Sequence, residues 1–180
     1  MGVLSLSRNN MNLLMWSHYT ENYKGFVLGL DDTNEFFYQK CPSGISTMPQ
    51  DVRYTSQRSQ VKIKPRDLDY YRKTLCEKPI DWAYEEEVRI FKFFTNKSKS
   101  FGKDEWGLPV FLVNFPPELV KEIYIGFNMS AKNLEQILTI PNISQHDIGW
   151  YKIKSSKIKY DIHAEPYNGP QNLNQLLSYT

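Results

Sequence analysis

Trp82-Ala83-Tyr84-Glu85-Glu86-Glu87-Val88-Arg89-Ile90-Phe91-Lys92-Phe93 is the stretch whose reading decides the fold. Its polar and apolar residues alternate, and its second half is rich in β-branched and aromatic side chains, so it predicts a strand over 82–94. Side chains two apart on a strand share a face. Glu85, Glu87 and Arg89 are therefore expected to project together, with Tyr84, Glu86, Val88 and Ile90 pointing the other way. Trp82 and Tyr84 before the charged residues, and Ile90 and Phe91 after them, place this strand inside a sheet. Two carboxylates roughly 7 Å apart with a guanidinium next in line form a charged ladder. Such a ladder can bind ribose hydroxyls, hold one carboxyl at a raised pKa for acid–base work, or stand in water on an edge.

Working outward, residues 10–23 read as a helix capped by Asn9 or Asn10 and ended near Gly25. Large apolar groups occupy nearly every side of its first two turns, which predicts a well-buried helix. Residues 25–30 and 52–55 read as strands, separated by a loop containing Cys41-Pro42-Ser43-Gly44. Pro65 opens a second helix over 65–76. The apolar run 110–115 predicts a strand covered on both faces. Pro116-Pro117 suggests the start of a short turn of helix, 123–125 a strand, and Ser130 the cap of a further helix bearing Leu134, Ile137 and Leu138. Two more strands are expected over 151–154 and 158–162, and a short terminal helix over 173–177. Strands outnumber helices and do not alternate regularly with them. The fold class is thus α+β, a mixed, mostly antiparallel sheet with a few packed helices. The expected organisation is a single domain over 1–165 followed by a polar tail or short helix over 166–180.

Composition narrows the function classes. The chain has 180 residues, 14% of them aromatic and spread along its length, which argues against a long disordered half. A net charge of +2 supplies no field to hold a polyanion, so nucleic acid is not indicated as a partner. Two distant cysteines, Cys41 and Cys76, fit neither a disulfide framework nor a zinc knuckle. Neither a secretory leader nor an apolar run of membrane-spanning length is seen, so the expectation is a cytoplasmic protein without a membrane partner.

A second candidate segment is Met15-Trp16-Ser17-His18-Tyr19. Imidazole titrates near neutral pH, and only His146 and His163 accompany His18. A histidine on such a helix is commonly a core side chain hydrogen-bonded to backbone, and the alternative is a catalyst. Ser5 and Ser7 would share a face if extended, but no nucleophile elbow accompanies them. Three scattered histidines make no metal site, so no metal is expected. Lys62, Lys64 and Arg66 could touch phosphate, although such charge is usually a solvated face.

The two segments together resemble an uncharacterised bacterial family, the domain of unknown function numbered twenty-nine seventy-one. The residues that carry the resemblance are Ser5-Leu6-Ser7, Leu14-Met15-Trp16-Ser17-His18-Tyr19 with Gly25-Phe26, Tyr54, Lys78, and Trp82 through Arg89; it continues weakly through 123–126 to Tyr160. The family pattern on the tryptophan segment selects Glu85, Glu87 and Arg89, the same face that alternation picks out. Family members usually carry a further N-terminal stretch before the serine segment, so a site needing that stretch would be incomplete. A looser similarity is to the ADP-ribosyltransferase fold, where a strand offers a glutamate, often with another two residues earlier, to the nicotinamide ribose. What these resemblances imply is a nucleotide-handling site using NAD, in a bacterial effector or defence setting. Glu87 and Glu85 would be catalytic with His18, and Trp16, Tyr19, Tyr54, Lys78, Trp82 and Arg89 would bind the ligand. A non-catalytic module recognising a protein or small ligand is the alternative, and a purely structural network through His18, Trp82 and Arg89 is a third reading.

Overall fold

The structure, a computed structural model, describes residues 2–38, 48–60, 74–92, 94, 100–140 and 147–168. The expected loop at Cys41–Gly44, most of the helix over 65–76, the cations Lys62, Lys64 and Arg66, His146 and the terminal helix over 173–177 lie outside the described residues. The fold is α+β, with mixed and mostly antiparallel sheets and a few short helices, as the sequence leads one to expect. Contacts gather into two compact units. One comprises residues 1–8 and 33–116, the other residues 9–32 and 117–180.

In the first unit, β1 (Gly2–Ser7), β6 (Glu87–Lys92) and β3 (Gln50–Asp51) form an antiparallel sheet in the order β1-β6-β3. The central strand is β6. Its register sets Leu4 opposite Ile90 and Leu6 opposite Val88, so the apolar side chains share one face. The opposite face pairs Ser5 with Arg89 and Ser7 with Glu87. Both serine hydroxyls thus lie on the face of the charged residues. Alongside, β4 (Arg53–Thr55) runs parallel to β5 (Glu77–Pro79), setting Tyr54 opposite Lys78. Val52 joins the two sheets, its N–H donating to the Glu87 carbonyl at 2.9 Å. The buried apolar side chains of this unit include Phe36, Phe37, Val52, Val88 and Ile90.

The strand expected over 82–94 begins only at Glu87. Residues Ile80–Glu85 instead form a 3-10 helix that starts after Pro79. Glu86 ends it in the left-handed region, with φ 45°, while its N–H donates to the Ala83 carbonyl at 3.2 Å. Strand alternation is therefore not what relates Glu85 to Glu87; a turn is. The run 110–115 also departs from expectation. Only Pro109–Phe111 forms a strand, β8, paired with β7 (Ser100–Lys103), and most of the run is exposed.

In the second unit, β11 (Ile162–Pro166), β10 (Gly149–Ser155), β9 (Val120–Ile125) and β2 (Phe26–Leu30) form a sheet in that order. The β9–β10 pair is parallel and the other two pairs are antiparallel. One core cluster gathers Trp16, Tyr124, Ile153 and Ile162, the other Ile123, Ile125 and Leu134. Helix α2 (Ala131–Leu138) is capped by Ser130, whose Oγ accepts from Asn133 N, as expected. Helix α1 is shorter than the sequence implies, spanning Leu13–Tyr19. Its cap is Asn12, which accepts from the N–H groups of Leu14 and Met15, rather than Asn9 or Asn10. Only Trp16 within it is buried, because large apolar side chains on all sides do not by themselves supply a neighbour on every side. The strand expected over 158–162 begins only at Ile162; Ile158 and Tyr160 are fully exposed in the connection from β10.

After α1 the chain reverses through Glu21, Asn22 and Tyr23, all at positive φ. This turn brings the Tyr23 carbonyl against Gly126, where an added Cβ would lie 2.1 Å from that oxygen. Gly126 N also donates to the Gly25 carbonyl at 3.0 Å. Only glycine permits this approach of two backbones. Replacing Gly126 with Ala is expected to destabilise the protein by about 3 kcal/mol, since backbone cannot yield as a side-chain tip would. Urea denaturation of the purified variant measures it, and a loss under 1 kcal/mol would contradict the packing described.

Candidate functional site

The first unit concentrates six of the candidate residues. Glu85 and Glu87 are 3% and 6% exposed, the deepest charged side chains among the described residues. Isolated carboxylates cannot be buried ionised without partners. Here the partners are close. Arg89 Nε donates to Glu87 Oε1 at 2.7 Å and its Nη2 to Oε2 at 3.0 Å, a bidentate pairing. Lys78 Nζ lies 3.2 Å from Glu87 Oε2 and also donates to Glu85 Oε2. Arg89 Nη1 reaches the Leu75 carbonyl. The Ser5 hydroxyl donates to the Glu87 carboxylate, and Ser7 Oγ donates to the Glu85 carbonyl at 2.7 Å. Tyr54 closes the group: its hydroxyl accepts the Glu87 N–H at 2.7 Å.

Each contribution has a local origin. The two-residue period of β6 puts Arg89 beside Glu87. The left-handed Glu86 lets the chain leave the 3-10 helix and enter β6 with both neighbouring carboxylates meeting one lysine. Parallel pairing of β4 and β5 places Lys78 and Tyr54 next to one another. Trp82, on the 3-10 helix, is exposed; the Lys78 ammonium sits 4.9 Å from its ring centroid.

Burial pushes the Glu87 carboxyl up, but hydrogen bonds from Arg89, Ser5 and Lys78 outweigh it and bring the carboxyl down to about 2. The raised carboxyl that acid–base work would require is not found at this position. Burial works against the Lys78 ammonium, yet hydrogen bonds to Glu85 and Glu87 raise it above its ordinary value. The Glu87 hydrogen bonds raise Arg89 against the opposing effect of burial. The Tyr54 hydroxyl is raised chiefly by burial, opposed by the Glu87 N–H and reinforced by the Glu87 and Glu85 carboxylates.

The remaining three candidates belong to the second unit. Trp16 is buried; its indole N–H donates to the Asn10 carbonyl at 2.7 Å and its ring stacks on Tyr23. His18 and Tyr19 are exposed at the end of α1. Tyr19 also lines an open cavity of about 510 Å³ within this unit, with Phe26, Met129, Asn133, Gln136 and Ile137 among the other walls. Sequence reasoning did not find this cavity. Its walls come from β2, α2 and the turn after α1, and no local pattern links segments so far apart. Ser5 and Ser7 were expected to share a face if extended, and they do; what the sequence did not indicate is that this face is the one carrying Glu87 and Arg89. Among the described residues, no group of three or more His, Cys, Asp and Glu is placed to hold a metal ion, and no helix is long and apolar enough to cross a membrane.

The depressed Glu87 carboxyl has a consequence for acid stability. Its folded value lies below the ordinary 4.5, so it contributes stability fully present above that value and lost as pH falls towards about 2. Lys78 and Arg89, both raised, lose their contributions only at strongly alkaline pH. Glu87→Gln is expected to lower stability at neutral pH by roughly 3 kcal/mol, because it leaves the half-buried Arg89 guanidinium without its carboxylate and the Lys78 ammonium with Glu85 alone. That deficit should shrink as pH falls from 4.5 towards 2. Chemical denaturation of both proteins at a series of pH values tests this; a pH-independent difference would contradict it.

Comparison with curated proteins and with solved structures finds no match. Residues 15–90 match the model of a family described as protein of unknown function (DUF2971). The matched segment contains Met15 to Tyr19, Gly25-Phe26, Tyr54, Lys78 and the run from Trp82 to Arg89, so the family resemblance read from those residues is borne out there, while Ser5-Leu6-Ser7, Leu14 and the continuation through 123–126 to Tyr160 lie outside the match.

Proposed function

We propose that the cluster of Lys78, Glu85, Glu87 and Arg89 handles a nucleotide, with transfer of ADP-ribose from NAD as its chemistry. The supporting observation is the state of Glu87, a buried carboxylate held at about 2 and hence ionised throughout the neutral range. Cleavage of the bond between nicotinamide and ribose builds positive charge at the anomeric carbon, and the electron pair leaves with nicotinamide. A preorganised negative charge stabilises that centre without any proton transfer. In this reading Glu87 accepts from a ribose hydroxyl in place of one of its present donors. Glu85 orients the acceptor, Lys78 and Arg89 face the diphosphate, and Trp82 offers an exposed ring for stacking. The proposal rests on residues of the first unit alone.

A second reading is ligand recognition without catalysis, and the cavity of the second unit favours it. A volume of about 510 Å³ falls in the range of small-molecule sites, and its walls mix apolar side chains with the amides of Asn133 and Gln136.

Incubation with NAD labelled in the nicotinamide ring distinguishes the two. The transfer reading expects released nicotinamide, reduced at least ~100-fold in Glu87→Gln at a temperature where circular dichroism finds that variant folded. Trp82→Ala should raise KM while leaving kcat and the melting temperature little changed, since the ring is exposed. Absence of nicotinamide release in the unaltered protein, or equal rates in Glu87→Gln, rejects transfer. Ligand-dependent stabilisation lost in Gln136→Ala would then support recognition.

A further inference from the structure

We propose that the hairpin of β7 and β8 is the surface through which two copies of this chain associate. The hairpin carries an unusual load of exposed apolar side chains. Phe101 and Trp106 are each 77% exposed, Leu112 65% and Leu108 61%, with Val110 and Val113 also open to water. Single exposed hydrophobic residues are ordinary, but six on one hairpin and the two positions just after it mark a contact surface. Among the described residues, β7 and β8 pair only with one another.

The patch is built rather than floppy. At its tip, Asp104 Oδ1 accepts from Trp106 N at 3.0 Å and from Leu108 N at 2.8 Å. Gly107, at φ 78°, donates to the Asp104 carbonyl at 3.0 Å. Trp106 is thus held outward by a closed turn. The register slips between Ser100 and Gly102, leaving Phe101 as the extra, outward residue of a bulge. The base is anchored by Phe111, whose ring stacks on Phe94 with centroids 4.6 Å apart.

Area and charge identify the occupant as a second copy. The exposed apolar side chains together present roughly 700–800 Å², about what one partner contributes to a standard interface. The hairpin tip carries three charges in sequence, Lys103, Asp104 and Glu105. Asp104 accepts two backbone N–H bonds within the turn, while Lys103 and Glu105 are both exposed. A two-fold arrangement sets Lys103 against Glu105 of the other copy twice over, which makes the surface complementary to itself.

Sedimentation equilibrium of the full chain at micromolar concentrations tests this. The expected result is twice the chain mass, with the dimer dissociation constant raised at least ~30-fold in Trp106→Lys and in Phe101→Ser. Both positions are exposed, so their far-UV spectra and melting should remain those of a folded chain once dilution has separated the copies. Lys103→Glu should weaken the dimer, and the double variant Lys103→Glu/Glu105→Lys should restore it. A monomer at every concentration, or a dimer indifferent to Trp106→Lys, overturns the proposal. So does a monomer whose Trp106 fluorescence shifts to the blue with phosphatidylglycerol vesicles, which would assign the hairpin to a lipid surface.

Discussion

Burying a charge requires that its partners be buried with it, and the first unit is organised around that requirement at Glu87. Its carboxylate receives Arg89 from its own strand, Lys78 from β5 and a hydroxyl from β1. Its backbone N–H is received by Tyr54 from β4, and its carbonyl by the Val52 N–H. Three strands besides β6 and the linking residue Val52 therefore converge on one residue. The apolar face of the same strand, Val88 and Ile90 against Leu6 and Leu4, contributes the burial that makes this pairing obligatory. Hydrophobic packing alone would tolerate substitution of similar volume; a network of this kind fixes strand order and register, because a slip of one residue on β6 exchanges its charged and apolar faces.

The second unit meets a different constraint. Its centre is aromatic, with Tyr23 stacked on Phe127 at 4.3 Å and Tyr124 on Tyr151 at 4.9 Å between centroids. The Tyr124 hydroxyl donates to Glu122 at 2.8 Å, and burial together with that carboxylate pushes it up to about 12. Reaching this packing takes three successive residues in the left-handed region, each at a cost of order 1 kcal/mol. The Asn128 Nδ2 donation to the Asn22 carbonyl at 3.0 Å and the close approach at Gly126 hold that turn in place. Each unit thus spends its specificity differently, one on ion pairs and the other on backbone proximity.

Much of this was legible in residue order, and the exceptions have physical causes. Alternation over Val88 to Lys92 identified β6, and the spacing of Ser5 and Ser7 put their hydroxyls on one face, though not which strand that face would meet. The cluster of Glu85, Glu87 and Arg89 was read correctly as a group of neighbours, though for a geometric reason that fails at Glu86. A period of two presumes extended backbone throughout, and nothing in a run of three glutamates announces a left-handed middle residue. At 110–115 apolarity was taken for burial, whereas burial depends on what the rest of the chain supplies as a cover. At 158–160 the same alternation that marked β10 marked only a connection, since Ile158 and Tyr160 meet no neighbour. The cavity beside Tyr19 had no sequence signature, because it is a space among segments rather than a property of one.

The self-neutralising character of the first unit's cluster constrains any ligand that it would take. Two carboxylates face two cations, so a simple anion that drew Lys78 and Arg89 away would strip Glu85 and Glu87 of the cations that offset their burial, an unfavourable exchange. A simple cation meets the converse obstacle. The chemistry that fits is one molecule carrying both kinds of group: hydroxyls to satisfy the carboxylates as the cations turn outward, and an anionic group within a few ångströms to receive those cations. In the function proposed above, a ribose bearing a diphosphate would bring this pairing within its own covalent framework. Exchange on such terms keeps every buried polar group satisfied before and after binding, and this is why a fully paired cluster is compatible with a binding role as well as with a structural one.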